Sequence, residues 1–166
     1  VLPVEKVDII VSMWQGYCLF YENKLEKLVW FREKYLAPEG LMFPDRATFK
    51  LALIEDEYYY DRKINFWDEV YGVNMSCIKE WVLTEPIMDI VDPSVVITDT
   101  FKLRDFGLER ITMDKLDFSC AYELTAMESI NAHALVTWFE LEFNYGPTDN
   151  VLSSSPFMPK TRWKQT

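Results

Sequence analysis

At 166 residues the chain is long enough for one domain, or for parts of two larger ones. Hydrophobic residues make up 49% and aromatics 16%, enough for a packed core and for aromatic-rich interfaces. The formal net charge of -10 argues against nonspecific nucleic-acid binding, which needs clustered Lys and Arg, and no apolar run is long enough to span a bilayer.

Cysteine and histidine usage narrows the chemistry. Cys18, Cys77 and Cys120 are far apart, odd in number and without zinc spacing, which predicts reduced thiols in a cytoplasmic or nuclear protein. His133 is the only histidine, so these residues alone assemble neither a His-based metal cluster nor a Ser-His-Asp triad. No metal site is expected. The opening VLPVEKVDII carries no signal-peptide pattern.

Val7–Val11, VDIIV, has the length of a buried strand. Ser12 to Tyr17 break the pattern into a loop, where Gly16 is expected to supply backbone freedom. A helix is predicted from Glu22 to Leu36. Leu25, Leu28, Val29, Arg32 and Leu36 share helical spacing, Glu22 and Glu26 suit its start and Lys34 its end. Pro38-Glu39-Gly40 is expected to stop it. In open α/β sheets, ligands sit at such a loop, beyond the carboxyl end of a strand. A lone parallel-type strand needs neighbours, which predicts that an N-terminal α/β half lies outside the chain.

After Asp45-Arg46 the period changes to two. Ala47, Phe49, Leu51 and Leu53 alternate with Thr48, Lys50 and Ala52. Phe101 and Leu103 repeat the pattern, as do Leu135, Thr137, Phe139, Leu141 and Phe143. Cys120, Tyr122, Leu124 and Ala126 suggest a further strand, and the set predicts an antiparallel sheet or barrel. Between them Glu57 to Trp81 is rich in aromatics and reads as helical or irregular. Composition alone favours its packing on its own domain. Ser153–Pro159 reads as irregular.

Five segments, VDIIVSMWQGYCLFYEN, LAPEGLMFPDRAT, FWDEVYGVNMSCI, HALVTWFELEF and TRWKQT, resemble in that order the catalytic core of protein arginine methyltransferases. The resemblance implies an α/β plus β fold. Residues 1–44 would end a Rossmann-like domain that binds S-adenosyl-L-methionine, most of whose site lies outside this stretch. Residues 45–166 would form an incomplete substrate-binding β-barrel. A helical dimerisation arm at about residues 57–81 would carry Tyr58, Tyr59, Phe66, Trp67, Tyr71 and Met75, which reverses the preference from composition. The implied partners are a second copy or an active paralogue, and arginine-rich protein substrates.

Methyl transfer to a guanidinium requires a site that orients a cation, and two carboxylates facing the guanidinium fork do this. The family places them on one loop, the first in Ser-Glu-Trp-Met-Gly-Tyr and the second nine positions later. Here the loop reads Ser12-Met13-Trp14-Gln15-Gly16-Tyr17, and the second glutamate matches Glu22. Met13 carries no charge and accepts hydrogen bonds poorly. A buried guanidinium left half-paired costs roughly 3–5 kcal/mol. Lys24 replaces the methionine of the family's Glu-Ser-Met run, and Arg162 replaces the histidine of its Thr-His-Trp loop. Tyr17 and the retained Trp163 are candidate substrate contacts.

Simpler readings stand beside these. Glu22 suits a helix start, Trp14 suits a core, Tyr17 suits either role, Met13 is compatible with a harmless replacement, and His133 suits a structural position. The balance predicts a catalytically impaired homologue, a prozyme that dimerises with an active arginine methyltransferase. The alternative is an active S-adenosylmethionine-dependent protein arginine N-methyltransferase.

Overall fold

The computed structural model describes residues 3–166. Strand β1 (Val7–Val11) leads through a loop into helix α1 (Lys24–Tyr35), and β2 (Leu36–Phe43) follows α1 without a linker. β1 and β2 pair in parallel, from Val7 opposite Leu36 to Val11 opposite Phe43. The helix starts two residues later than its sequence pattern suggests because Asn23 adopts a left-handed backbone, φ 48 and ψ 33. Pro38-Glu39-Gly40 does not form a separating turn. It lies inside β2, where Glu39 takes φ 63 and the register slips between Val7 and Ile9.

β1 is not the buried strand its composition suggests. Among the described residues its ladder partner is β2 alone, and Ile9 and Val11 are exposed. Ile10 packs against the main core.

The rest of the chain is built on an antiparallel sheet. β3 (Arg46–Ile54), β4 (Phe101–Gly107), β5 (Ala134–Phe143) and β6 (Asn150–Ser153) lie in the order β4-β3-β5-β6. No closed barrel forms among the described residues. β6 falls partly in a stretch expected to be irregular; its four residues are too few to show a period. The Cys120–Ala126 segment is not a strand, and only a single bridge joins Ala126 to Thr98. Cys120, Tyr122 and Ala126 are exposed, so the alternation there reflects no buried face.

The sheet is covered on both faces over part of its length, which the expectation of a half-buried sheet missed. Ala47 and Phe49 of β3 join Phe139 and Leu141 of β5 in one core. Ala52 and Ile54 join Val136 and Trp138 in a second, on the opposite pleat, capped by Val91, Val95 and Val96. The first core also takes Leu25, Leu28 and Val29 from α1 and Met42 from β2. The α/β segment and the sheet therefore share one interior. Buried Arg32 of α1 adds a polar strut, its Nη1 donating to the carbonyl of Leu108 at 2.8 Å.

Candidate functional site: the β1–α1 loop and the aromatic arm

The loop after β1 is held by its own backbone and by two buried side chains. The Ser12 N–H donates to Phe43 O at 2.9 Å, and the Gly16 N–H to Leu19 O at 2.9 Å. The Asn23 N–H donates to Phe20 O at 2.9 Å, closing the turn into α1. Trp14 and Leu19 anchor the loop in the main core, at 3% and 1% exposure. Cys18, Leu19 and Asn23 have φ values of 47, 61 and 48, the left-handed region that side chains with a Cβ disfavour. Such a conformation costs about 1–3 kcal/mol per residue and persists where packing fixes it. Leu19 meets that condition by its burial.

Gly16 acts through space rather than through backbone freedom. A Cβ added there would lie 3.0 Å from both the Cγ and the backbone nitrogen of Glu22. The missing side chain thus lets Glu22 fold back against the loop. Glu22 remains partly exposed, and its carboxylate pairs with the Lys24 ammonium.

Met13 is 60% exposed and projects away from the core that holds its neighbour Trp14. Tyr17 lies at the surface, at 36% exposure. Trp163 is buried beside Phe139, ring centroids 5.9 Å apart in an edge-on arrangement, leaving little ring surface for a substrate. The exposed Arg162 guanidinium lies over the Trp163 ring at 5.2 Å. Trp163 shares the main core with Trp14 and Leu19, so the C-terminal turn and the β1–α1 loop rest on one packed base.

Sequence reasoning passed over Gln15. It is 5% exposed, and its Oε1 has no hydrogen-bond partner among the described residues. The same holds for Ser12 Oγ and Trp14 Nε1. Buried polar atoms are normally paired, and three unpaired ones fall within residues 12–15. The available signal was the replacement of an apolar family residue by an amide at position 15.

The aromatic segment projects from the end of β3. α2 (Glu57–Lys63) is capped by Asp56, whose Oδ1 accepts the Tyr59 N–H at 2.8 Å. Short 3-10 turns at Asn65–Asp68 and Ser76–Ile78 lead into α3 (Lys79–Thr84). Lys79 Nζ ties them together, donating to Asn65 Oδ1 at 2.9 Å and Asp68 Oδ2 at 2.6 Å. At the tip Val70 and Val73 exchange both backbone hydrogen bonds across Tyr71 and Gly72, whose φ values are 52 and 84. Positive φ at both central positions makes a tight type I′ reversal. Tyr71 is 99% exposed, and Tyr58, Phe66 and Trp81 are also exposed. Tyr59, Trp67 and Met75 are half-buried. The root of the segment packs on its own domain through buried Ile64 and half-buried Tyr59 and Tyr60, as composition suggested, while Tyr58, Phe66, Tyr71 and Trp81 face outward.

A cavity of about 480 Å³ lies where this segment meets β5. Tyr59, Asp89, His133 and Gln165 are among its polar lining residues, and Cys18 is the one lining residue from the β1–α1 loop. The Tyr59 hydroxyl donates to Asp89 Oδ2 at 3.1 Å. Burial, reinforced by the Asp89 charge, pushes the Tyr59 phenol up to about 12. The Ile90 N–H, the Tyr59 hydroxyl and the Lys164 and Lys63 ammonium groups hold Asp89 below its ordinary range. His133 is structural here: its Nδ1 accepts the Asp56 N–H at 3.1 Å, at the root of the arm.

A parallel strand pair with a loop of left-handed turns is thus joined to an antiparallel sheet that carries an exposed aromatic arm. Residues 45–166 match the sequence profile of the arginine methyltransferase oligomerization subdomain. The chain belongs to the protein arginine methyltransferase family. It is 47% identical over 165 residues to protein arginine N-methyltransferase 1 of Schizosaccharomyces pombe, covering 99% of this chain and 48% of that one. It is 44% identical over 165 residues to protein arginine N-methyltransferase 8-B of Danio rerio, covering 99% and 39%. Among solved structures, the Trypanosoma brucei PRMT1 enzyme-prozyme heterotetrameric complex with AdoHcy matches at a TM-score of 0.93 and 35% identity, over 99% of this chain and 52% of that one. The chain thus spans about half the length of the relatives it matches.

Proposed function

We propose that this chain is part of a catalytically impaired arginine methyltransferase homologue that serves as the partner subunit of an active one. The observation that carries this reading is Met13. It stands where the family places the first guanidinium-binding carboxylate, while the fold around it is kept. The second carboxylate, Glu22, is retained but already paired with Lys24. The arm meanwhile presents Tyr58, Phe66 and Tyr71 to solvent, as a surface for a second subunit requires. The enzyme-prozyme assembly of the Trypanosoma brucei relative supports such an arrangement.

In this reading residues 1–44 are the end of a Rossmann-like domain and residues 45–166 part of the substrate-binding barrel. The arm covers about residues 57–81, and the protein resides in the cytoplasm or nucleus. S-adenosylmethionine, whose product occupies the trypanosomal structure, supplies the transferable methyl group when bound. The residues present fit one edge of such a group. Ser12 Oγ and Gln15 Oε1 are orphaned at the carboxyl end of β1, where an open α/β sheet takes its ligand, and they would hold that edge. Glu22 accepts hydrogen bonds from a substrate guanidinium through one carboxylate. Met13 offers no second charge, and the family's paired recognition is reduced to half.

The test is a methylation assay on an arginine- and glycine-rich peptide, with the full-length protein alone and mixed with an active homologue. Negligible turnover alone, with altered turnover by the mixture, is expected. Robust turnover alone refutes the reading and favours the second one, an active arginine N-methyltransferase in which Glu22 suffices. Identities of 44–47% to proteins named as N-methyltransferases support that alternative.

A further inference from the structure

The retained carboxylate is not free. Glu22 pairs with the ammonium of Lys24, two residues on, and the pair lies partly exposed at the mouth of the loop, with side-chain exposures of 37% and 43%. Lys24 is the first residue of α1, where the helix dipole disfavours a cation. A lysine is unfavourably placed there unless an acid beside it compensates, and Glu22 is its only ion-pair partner among the described residues. Glu22 in turn is confined: it packs against the bare Cα of Gly16, and Asn23 fixes the chain in the left-handed region between the two partners.

We propose that Lys24 is a built-in competitor for the guanidinium at Glu22. Its ammonium holds the carboxylate that an arginine side chain would use, and the substrate must displace it. Met13, with no charge, offers no second carboxylate on which the arginine can first gain hold. The proposal rests on reading Glu22 as the guanidinium acceptor, and it goes further by naming the group that occupies that acceptor when no substrate is bound. Tethering places the ammonium near Glu22 at a high effective concentration, so a pair that is weak in contact energy still competes. An exposed ion pair of this kind corresponds to about a 2- to 5-fold change in an equilibrium constant.

The test uses the full-length protein in its oligomer and an arginine–glycine repeat peptide, with a citrulline version as the uncharged control. Calorimetry measures the peptide's Kd for the wild type, Lys24→Met, Lys24→Gln, Lys24→Arg, Glu22→Gln and Glu22→Gln combined with Lys24→Met. Lys24→Met and Lys24→Gln are expected to tighten arginine-peptide binding about 2- to 5-fold. Lys24→Arg is expected to leave it unchanged, and the gain is expected to vanish on the Glu22→Gln background. Lys24→Gln separates loss of charge from the added apolar packing of methionine.

If Glu22→Gln weakens binding while the neutral Lys24 variants do not tighten it, the competitor is refuted and the acceptor stands. A gain that survives in Glu22→Gln also refutes it, since Lys24 then repels the peptide without holding Glu22. If Glu22→Gln leaves the Kd unchanged, the acceptor itself is refuted, and the competitor with it.

Discussion

If the proposed function holds, placing a carboxylate at position 13 is the most direct perturbation of the loop. In Met13→Glu the new side chain occupies a position that is 60% exposed, so ionising it carries little desolvation cost. The neighbouring anchors Trp14 and Leu19 are unaffected, because the side chain at position 13 lies outside their core. A hydrogen bond to a charged partner contributes about 1.5–3 kcal/mol, which is about 10- to 150-fold in rate if expressed in the transition state. Screening at an exposed site moves the expectation to the lower end. Competition from Lys24 lowers it further, so Met13→Glu with Lys24→Met should exceed Met13→Glu alone. The assay is kcat/KM on an arginine–glycine peptide with the full-length protein, and Met13→Gln serves as a neutral acceptor expected to recover less. If Met13→Glu gains nothing while calorimetry shows S-adenosylmethionine bound, the proposed role of position 13 is refuted.

Three further outcomes are expected. Gly16→Ala forces Glu22 or its backbone to move from contacts of 3.0 Å, an overpacking worth about 1–3 kcal/mol. Chemical denaturation should show a lower midpoint, and an unchanged midpoint would mean the loop relaxes freely. Asp105 lies below its ordinary range, chiefly through its hydrogen bond to Arg46 with Lys102 adding to it, so its contribution to stability is complete above the unfolded carboxylate pKa of about 3.9 and is lost as pH falls through the lower folded value. Asp105→Asn should therefore flatten the acid limb of a stability–pH curve without changing its shape near neutrality; an unaltered acid limb contradicts this. Tyr71→Ser, at the arm's fully exposed tip, should weaken subunit association in sedimentation while leaving the melting temperature of the dissociated protein unchanged. Undiminished association would place the partner contact elsewhere on the arm.

The strands with strict alternation were legible because a pleated sheet demands that period; β3, β4 and β5 all appear where the pattern puts them. The second buried face was not, because Val136 and Trp138 read as the outward set beside Phe139 and Leu141 until Val91, Val95 and Val96 cover them. β2 was hidden by Pro38-Glu39-Gly40, whose breaker composition here marks a bulge within a strand. The outward pose of the arm was invisible to composition, since aromatics suit a core and an interface equally. In the loop, the ion pair of Glu22 to Lys24 and the unpaired Oε1 of Gln15 depend on three dimensions and had no signature in the residue types alone. The left-handed turns at Cys18 and Leu19 had no sequence signature, because neither residue type favours that conformation.

The packing beneath the loop also bears on how such a protein changes over generations. Trp14 and Leu19 fix the loop's path from below, with Phe139, Leu141 and Trp163 of the distant sheet and C-terminal turn sharing the same interior. The side chain at position 13 points the other way. Selection acting on folding alone, which removes variants falling below a stability threshold, therefore has little hold on that position. A lineage released from the demand for its own turnover would be free to drift there while still assembling and still supporting a neighbour. The partition of Trp14 inward and Met13 outward thus leaves position 13 outside the packing that keeps the chain folded.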